Sequence, residues 1–123
     1  MSTDTGIDLV AYAPSRKHPV TIQVKTNLKP KPGGGKGKAA IDWWLPENSP
    51  ADLAAFVNLE SEAVWLMTHT EVVKYAQQHS GGKYHLYMYT DPTALPKKLD
   101  RPVHAYEFEH LRLENRANKL FGT

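Results

Sequence analysis

Side chains follow a period of two through two segments of the first part of the chain. Ile7, Leu9 and Ala11 alternate with Asp8, Val10 and Tyr12, and Val20, Ile22 and Val24 alternate with Thr21, Gln23 and Lys25. A period of two marks a strand with one face in a core. Strands are therefore expected over Gly6–Ala13 and Val20–Lys25, joined as a hairpin around Pro14, Ser15 and Pro19. The apolar runs Asp52–Leu59 and Ala63–Met67, separated by Asn58–Glu62, predict two further strands and a tight turn. Over Thr68–His79 the spacing becomes helical, at Val72, Val73 and Ala76. Thr68 and Glu71 there make a capping-box start, and Gly81-Gly82 a stop. Tyr84–Thr90 alternates again as a fifth strand, and Ala105–Leu120 reads as mainly helical. Ala39–Leu45 reads as a turn or two of helix stopped by Pro46, with a strand as the alternative.

This order of elements predicts a single α/β domain over residues 1–123, with a central mixed β-sheet flanked by helices. If the Gln23 strand pairs in parallel with the Leu53 strand, the connection must cross over, which favours the helix at Ala39–Leu45. A chain of 123 residues buries about two thirds of its unfolded surface, enough for a core without staples. Its lack of cysteine excludes a disulfide framework, thiolate zinc, iron–sulfur clusters and a cysteine nucleophile. No apolar run approaches the length of a membrane span and no basic-then-apolar leader opens the sequence, so a cytoplasmic protein with no membrane partner is expected.

Fifteen Lys and Arg against 13 Asp and Glu leave a formal charge of only +2. The distribution is more informative than the total. Arg16 to Lys38 holds seven basic residues and no acid, whereas Ala39 to Glu71 holds six acids and no Lys or Arg. Within the basic block, residues 28–38 combine Lys29, Lys31, Lys36 and Lys38 with prolines and Gly33, Gly34, Gly35 and Gly37. That composition predicts a flexible loop. Its lysines are candidates for holding a phosphate backbone, with a solvated, solubilising loop as the plain alternative. The glycines lack the spacing of a phosphate-binding P-loop, so nucleotide binding of that kind is excluded.

A hairpin turn centred near Arg16 and Lys17 places Asp8 opposite Lys25, with Gln23 one step along the same face. A carboxylate and an amide oxygen on neighbouring strands can hold a hard divalent cation such as magnesium. A lysine beside them can help deprotonate an attacking water and offset charge on a phosphate in the transition state. The plain alternative is a surface ion pair between Asp8 and Lys25.

At these residues, Gly6-Ile7-Asp8-Leu9-Val10 followed by Thr21-Ile22-Gln23-Val24-Lys25-Thr26, the chain resembles the PD-(D/E)XK nuclease superfamily, in its Gln-x-Lys form. The resemblance implies a restriction-endonuclease-like core and metal-dependent cleavage of DNA. It makes Asp8 the principal metal ligand, Gln23 the replacement for a second acidic ligand and Lys25 the catalytic lysine. Seven residues precede Asp8 where that family has a helix, so a homodimer or other partner supplying the helix is a further expectation. The alternative function is an inactive nuclease-fold module that binds nucleic acid or a protein.

Other candidates reduce to structure. Adjacent Trp43 and Trp44 point to opposite sides, so at least one is expected in the core, and Trp65 between Val64 and Leu66 is structural. On Tyr84–Thr90 the faces divide into Tyr84, Leu86, Met88 and His85, Tyr87, Tyr89, which favours a strand with two contacting sides over a binding platform. The six histidines show no metal pair at helical spacing, and no nucleophile elbow is present.

Overall fold

The computed structural model describes residues 6–12, 17–32, 39–93 and 101–121. It is a mixed α/β structure rich in strands, built from two four-stranded sheets rather than one. The first sheet contains β1 (Leu9–Ala11), β2 (Val20–Asn27), β5 (Leu53–Asn58) and β6 (Ala63–Thr68), in that order. The second contains β3 (Lys31–Pro32), β4 (Ala39–Pro46), β8 (Lys83–Tyr89) and β7 (Gln78–Ser80). Helices are few: α1 (His69–Tyr75), a 3-10 helix (Ala105–Leu111) and α2 (Leu113–Phe121).

Strand β2 pairs antiparallel with β1 and parallel with β5, Gln23 standing beside Ala54 and Lys25 beside Phe56. The parallel pairing posed for these strands occurs, but the helix favoured for its crossover does not. Ala39–Pro46 is a strand of the second sheet, not a helix, and pairs antiparallel with β8 from Ala40 to Pro46. The reason lies in its side-chain period. Ile41, Trp43 and Leu45 are buried while Trp44 is exposed, an alternation that a helix would scatter around its surface.

The principal core lies between the sheets. Ala54 and Phe56 from β5 and Trp65 and Met67 from β6 meet Ile41, Trp43, Leu45, Leu86 and Met88 from the second sheet, with Val72 and Phe108 closing the sides. Trp43 packs its ring 5.3 Å from Phe56 and 5.8 Å from Trp65, and its Nε1–H donates to the Val57 carbonyl at 3.0 Å. A smaller cluster of Val20, Ile22, Leu53, Ala55 and Leu66 occupies the other side of the first sheet. Among the described residues no helix is long and apolar enough to cross a membrane.

Helix α1 begins as its sequence predicts. Thr68 caps the Glu71 N–H, and Glu71 Oε1 accepts the Thr68 N–H at 2.8 Å. The helix stops at Tyr75, and Gln78–Ser80 turns into a short edge strand. Arg116 of α2 fastens the C-terminal helix to this corner, donating from Nη1 to the Leu66 carbonyl and to Glu71 Oε1, each at 2.6 Å. Partial burial acts to raise the Glu71 pKa. The Arg116 hydrogen bond, the Thr68 N–H and the guanidinium charge outweigh it and hold that pKa below the ordinary glutamate value.

Because the folded pKa of Glu71 is depressed, its stabilising contribution is present above the unfolded glutamate pKa and disappears as pH falls through the folded value. Arg116→Met is expected to cost about 2 kcal/mol in denaturant unfolding at neutral pH. The gap from the parent protein should narrow on acidification, as Glu71 becomes protonated in both.

Candidate functional site

The site begins where the β1–β2 ladder ends. Leu9 faces Ile22, Val10 faces Thr21 and Ala11 faces Val20. This register differs by two residues from the one expected with Asp8 opposite Lys25. The ladder does not continue to Asp8. By alternation Gln23 and Lys25 share one side of β2.

Regular pairing gives way at Asp8. Its N–H donates to the Ile22 carbonyl at 2.8 Å, and its Oδ2 accepts the Val24 N–H at 2.8 Å. The carboxylate thus takes the place of the backbone carbonyl that a continuing strand would offer to β2. Oδ1 accepts no hydrogen bond among the described residues, which leaves one anionic oxygen open at an exposed residue.

Gln23 lies deeper, 1% exposed. Its Oε1 accepts the Ser49 hydroxyl at 2.5 Å, retaining one lone pair for another partner. Ser49 belongs to the connection between β4 and β5, and that connection is tied to β2 a second time. Asp52 Oδ2 accepts both the N–H and the hydroxyl of Thr21, whose Oγ1 in turn accepts the Asp52 N–H at 2.9 Å. Gly6 completes the cluster. It has φ +79°, and a Cβ at this position would lie 2.7 Å from Pro50 Cδ. Only glycine suits both the backbone conformation and the close approach.

Lys25 follows on the same side of β2, half-buried, and forms no ion pair with Asp8 among the described residues. The surface ion-pair alternative is therefore absent there. Lys29 is exposed just beyond the end of β2. Lys31 lies in β3, whose backbone pairs with Ala40; Lys36 and Lys38 lie outside the described residues, as does most of the expected 28–38 loop. Of the seven expected functional residues, Gln23 and Lys25 share a side of β2, while Asp8 meets β2 at the backbone of Ile22 and Val24, with no contact to Gln23 or Lys25 among the described residues.

One carboxylate and one amide oxygen are the donor types of the smallest protein share of a magnesium shell, which leaves the remaining positions to water and phosphate. No group of three or more His, Asp or Glu able to hold a metal occurs among the described residues.

Sequence reasoning missed a second feature, on the outer side of the second sheet. Trp44 and His85 are stacked, with centroids 4.0 Å apart and an interplanar angle of 1°. His85 continues to Tyr87, Tyr89, His104 and Tyr106, each ring within 6.2 Å of the next. His85 Nε2 lies 2.7 Å from Asp42 Oδ2 and its Nδ1 lies 3.1 Å from Gln78 Oε1. Burial, and then neighbouring Tyr89, push the Tyr87 hydroxyl pKa up. The alternation of His85, Tyr87 and Tyr89 was the signal for this row. Its extension through Trp44 and His104 depends on strand pairing.

No family model, curated protein or solved structure matches the chain.

Gly6→Ala is expected to destabilise the protein by about 1–3 kcal/mol through positive-φ strain, and Ser49→Ala by about 1 kcal/mol through the lost hydrogen bond to Gln23. Denaturant unfolding of the two variants checks both values.

Proposed function

We propose that the chain is a nuclease-like protein that hydrolyses phosphodiester bonds in DNA at a magnesium-dependent site formed by Asp8, Gln23 and Lys25, on a restriction-endonuclease-like core. The observation that supports this reading is the docking of the Asp8 carboxylate on the backbone N–H of Val24, the residue between Gln23 and Lys25, with Oδ1 unbonded among the described residues. Asp8 Oδ1 and Gln23 Oε1 would hold the cation. When bound, magnesium supplies electrophilic polarisation of the phosphate and neutralises charge there. Asp8 is held in place through Oδ2 by the Val24 N–H, so its free oxygen is aimed without further ordering. Lys25, free of an ion-pair partner among the described residues, is available to orient the attacking water and to stabilise charge developing on the phosphate oxygens. Lys29, and the lysines at 31, 36 and 38, would supply backbone-holding charge.

A second reading has its own support: a module of this fold that binds nucleic acid without cutting it. Gln23 is buried and already engaged by Ser49, and Asp8 is the sole carboxylate of the trio. The two readings separate on metal-dependent cleavage.

With plasmid, branched and single-stranded DNA as substrates, cleavage should require magnesium and be abolished by Asp8→Ala. Lys25→Ala should reduce it about hundredfold or more. Gln23→Glu, which adds a second carboxylate, should lower the magnesium concentration needed. Residual cleavage equal in parent and variants would refute catalysis at this site, and salt-dependent DNA binding without cleavage would establish the second reading.

A further inference from the structure

The two edges of the first sheet are finished differently. At β6 the C-terminal segment closes the edge: Trp65 bridges to Arg112 through the backbone, and Arg116 Nη1 donates to the Leu66 carbonyl at 2.6 Å. At β1 no strand or bridge lies outside the sheet among the described residues.

The pairing pattern fixes which backbone groups of β1 face outward. Thr21 turns its N–H to Asp52, away from β1, so the bonds between β1 and β2 run through Val20 and Ile22, which stand opposite Ala11 and Leu9. The Ile22 carbonyl agrees with that direction, accepting the Asp8 N–H. Val10 stands opposite Thr21. In an antiparallel ladder both members of such a pair turn their N–H and C=O away from each other, so Val10 presents a donor and an acceptor at the open edge.

Proteins commonly protect an edge with charge, proline or a bulge. Leu9-Val10-Ala11-Tyr12 carries no charge and no proline, and its register with β2 runs without a bulge. Leu9 is 55% exposed, Val10 46% and Tyr12 82%. The edges of the second sheet are different: β3 has two residues, and β7 is the polar run Gln78–Ser80.

The β1 edge is complementary to itself. Antiparallel pairing about a twofold axis at Val10 sets Val10 against its own counterpart, exchanging both backbone hydrogen bonds, with Leu9 against the partner's Ala11 and Asp8 against the partner's Tyr12. No like charges meet. On the Leu9 side a large side chain faces a small one, and the contact continues the apolar cluster of Val20 and Ile22, against which Ala11 already packs. We propose that β1 is a self-association edge, through which two copies of the chain join their four-stranded first sheets into one continuous sheet. That self-complementarity singles out a second copy over an unrelated extended peptide. A three-residue strand falls short of the roughly 800 Å² per partner of a stable complex, so the pair is weak and concentration-dependent. The proposal does not rest on the chemistry at Asp8.

Sedimentation of the full chain from about 10 µM to about 1 mM should follow a monomer–dimer equilibrium with a Kd of about 100 µM. The Val10 amide is the specific reporter: its hydrogen exchange, followed by NMR, should slow about threefold or more across that range, whereas the Ala11 amide, bonded to β2 in both states, should change less. V10K sets two like charges against each other on the axis, and Val10→Pro removes an outward donor at a position where an edge strand tolerates proline. Each should leave the chain monomeric at the highest concentration with an unfolding midpoint close to the parent's. Tyr12→Ser, at an exposed position outside β1, should weaken the dimer about threefold or more and serves as the check if both Val10 variants fail to fold. A parent chain that stays monomeric throughout, or a dimer whose Val10 exchange does not slow, would overturn the proposal.

Discussion

Trp43 is the residue on which the two sheets meet. It projects from β4 into the space between them, places its ring against Phe56 and Trp65 of the first sheet, and donates its indole N–H to the Val57 carbonyl. An aromatic ring of this size contributes a large buried area, and the indole hydrogen bond fixes its orientation as well as its depth. The connection from β2 to its parallel neighbour β5 runs through β4, so the depth of Trp43 also governs how that connection returns to the first sheet. Asn27 adds a second tie between the sheets, donating from Nδ2 to the Asp42 carbonyl at 2.9 Å.

The candidate site depends on the same return. After β4 the chain passes through Ser49, Pro50 and Asp52, and each meets the first sheet near Asp8: Ser49 at Gln23, Pro50 against Gly6 and Asp52 at Thr21. They lie where the chain enters β1, and there the Asp8 carboxylate serves β2 in place of a backbone carbonyl. The site is therefore an end of a sheet sealed by a loop, with one carboxylate oxygen left open. Its polar groups are held by hydrogen bonds, so little ordering remains to be done when a ligand arrives.

Much of the local structure was legible in the chain. The alternation around Ile22 and around Leu86 identified strands, and Thr68 with Glu71 marked the start of α1, whereas the burial of Gln23 on the polar side of β2 did not show. The parallel partnership of the Gln23 and Leu53 strands was also reachable, because a strand flanked by others needs two neighbours. What failed required distant partners. Ala39–Leu45 is short, and Ala39 and Ala40 suit a helix as well as a strand, so only pairing with β8 decides its state. The second sheet followed from that pairing and was invisible without it. The register of Asp8 was missed by two residues because the turn position alone set the estimate. Gly6 against Pro50, which limits how β1 enters the sheet, is a long-range contact. Ser49 offered no signal at all: a serine before a proline is ordinary turn composition. The aromatic row was half legible, from His85 to Tyr89.

The central claim is that the end of the β1–β2 pair, where Asp8 docks on the Val24 N–H between Gln23 and Lys25, is a site for a hard divalent cation. Manganese shares the oxygen-rich octahedral preference of magnesium and is paramagnetic, so it reports its position without reference to catalysis. In amide correlation spectra of the full chain, substoichiometric manganese should selectively broaden Asp8, Gln23, Val24 and Lys25, with the effect lost in Asp8→Ala and competed by magnesium. Broadening confined to exposed carboxylates elsewhere, such as Glu60 and Glu109, with the Asp8 and Gln23 signals unaffected, would contradict the account.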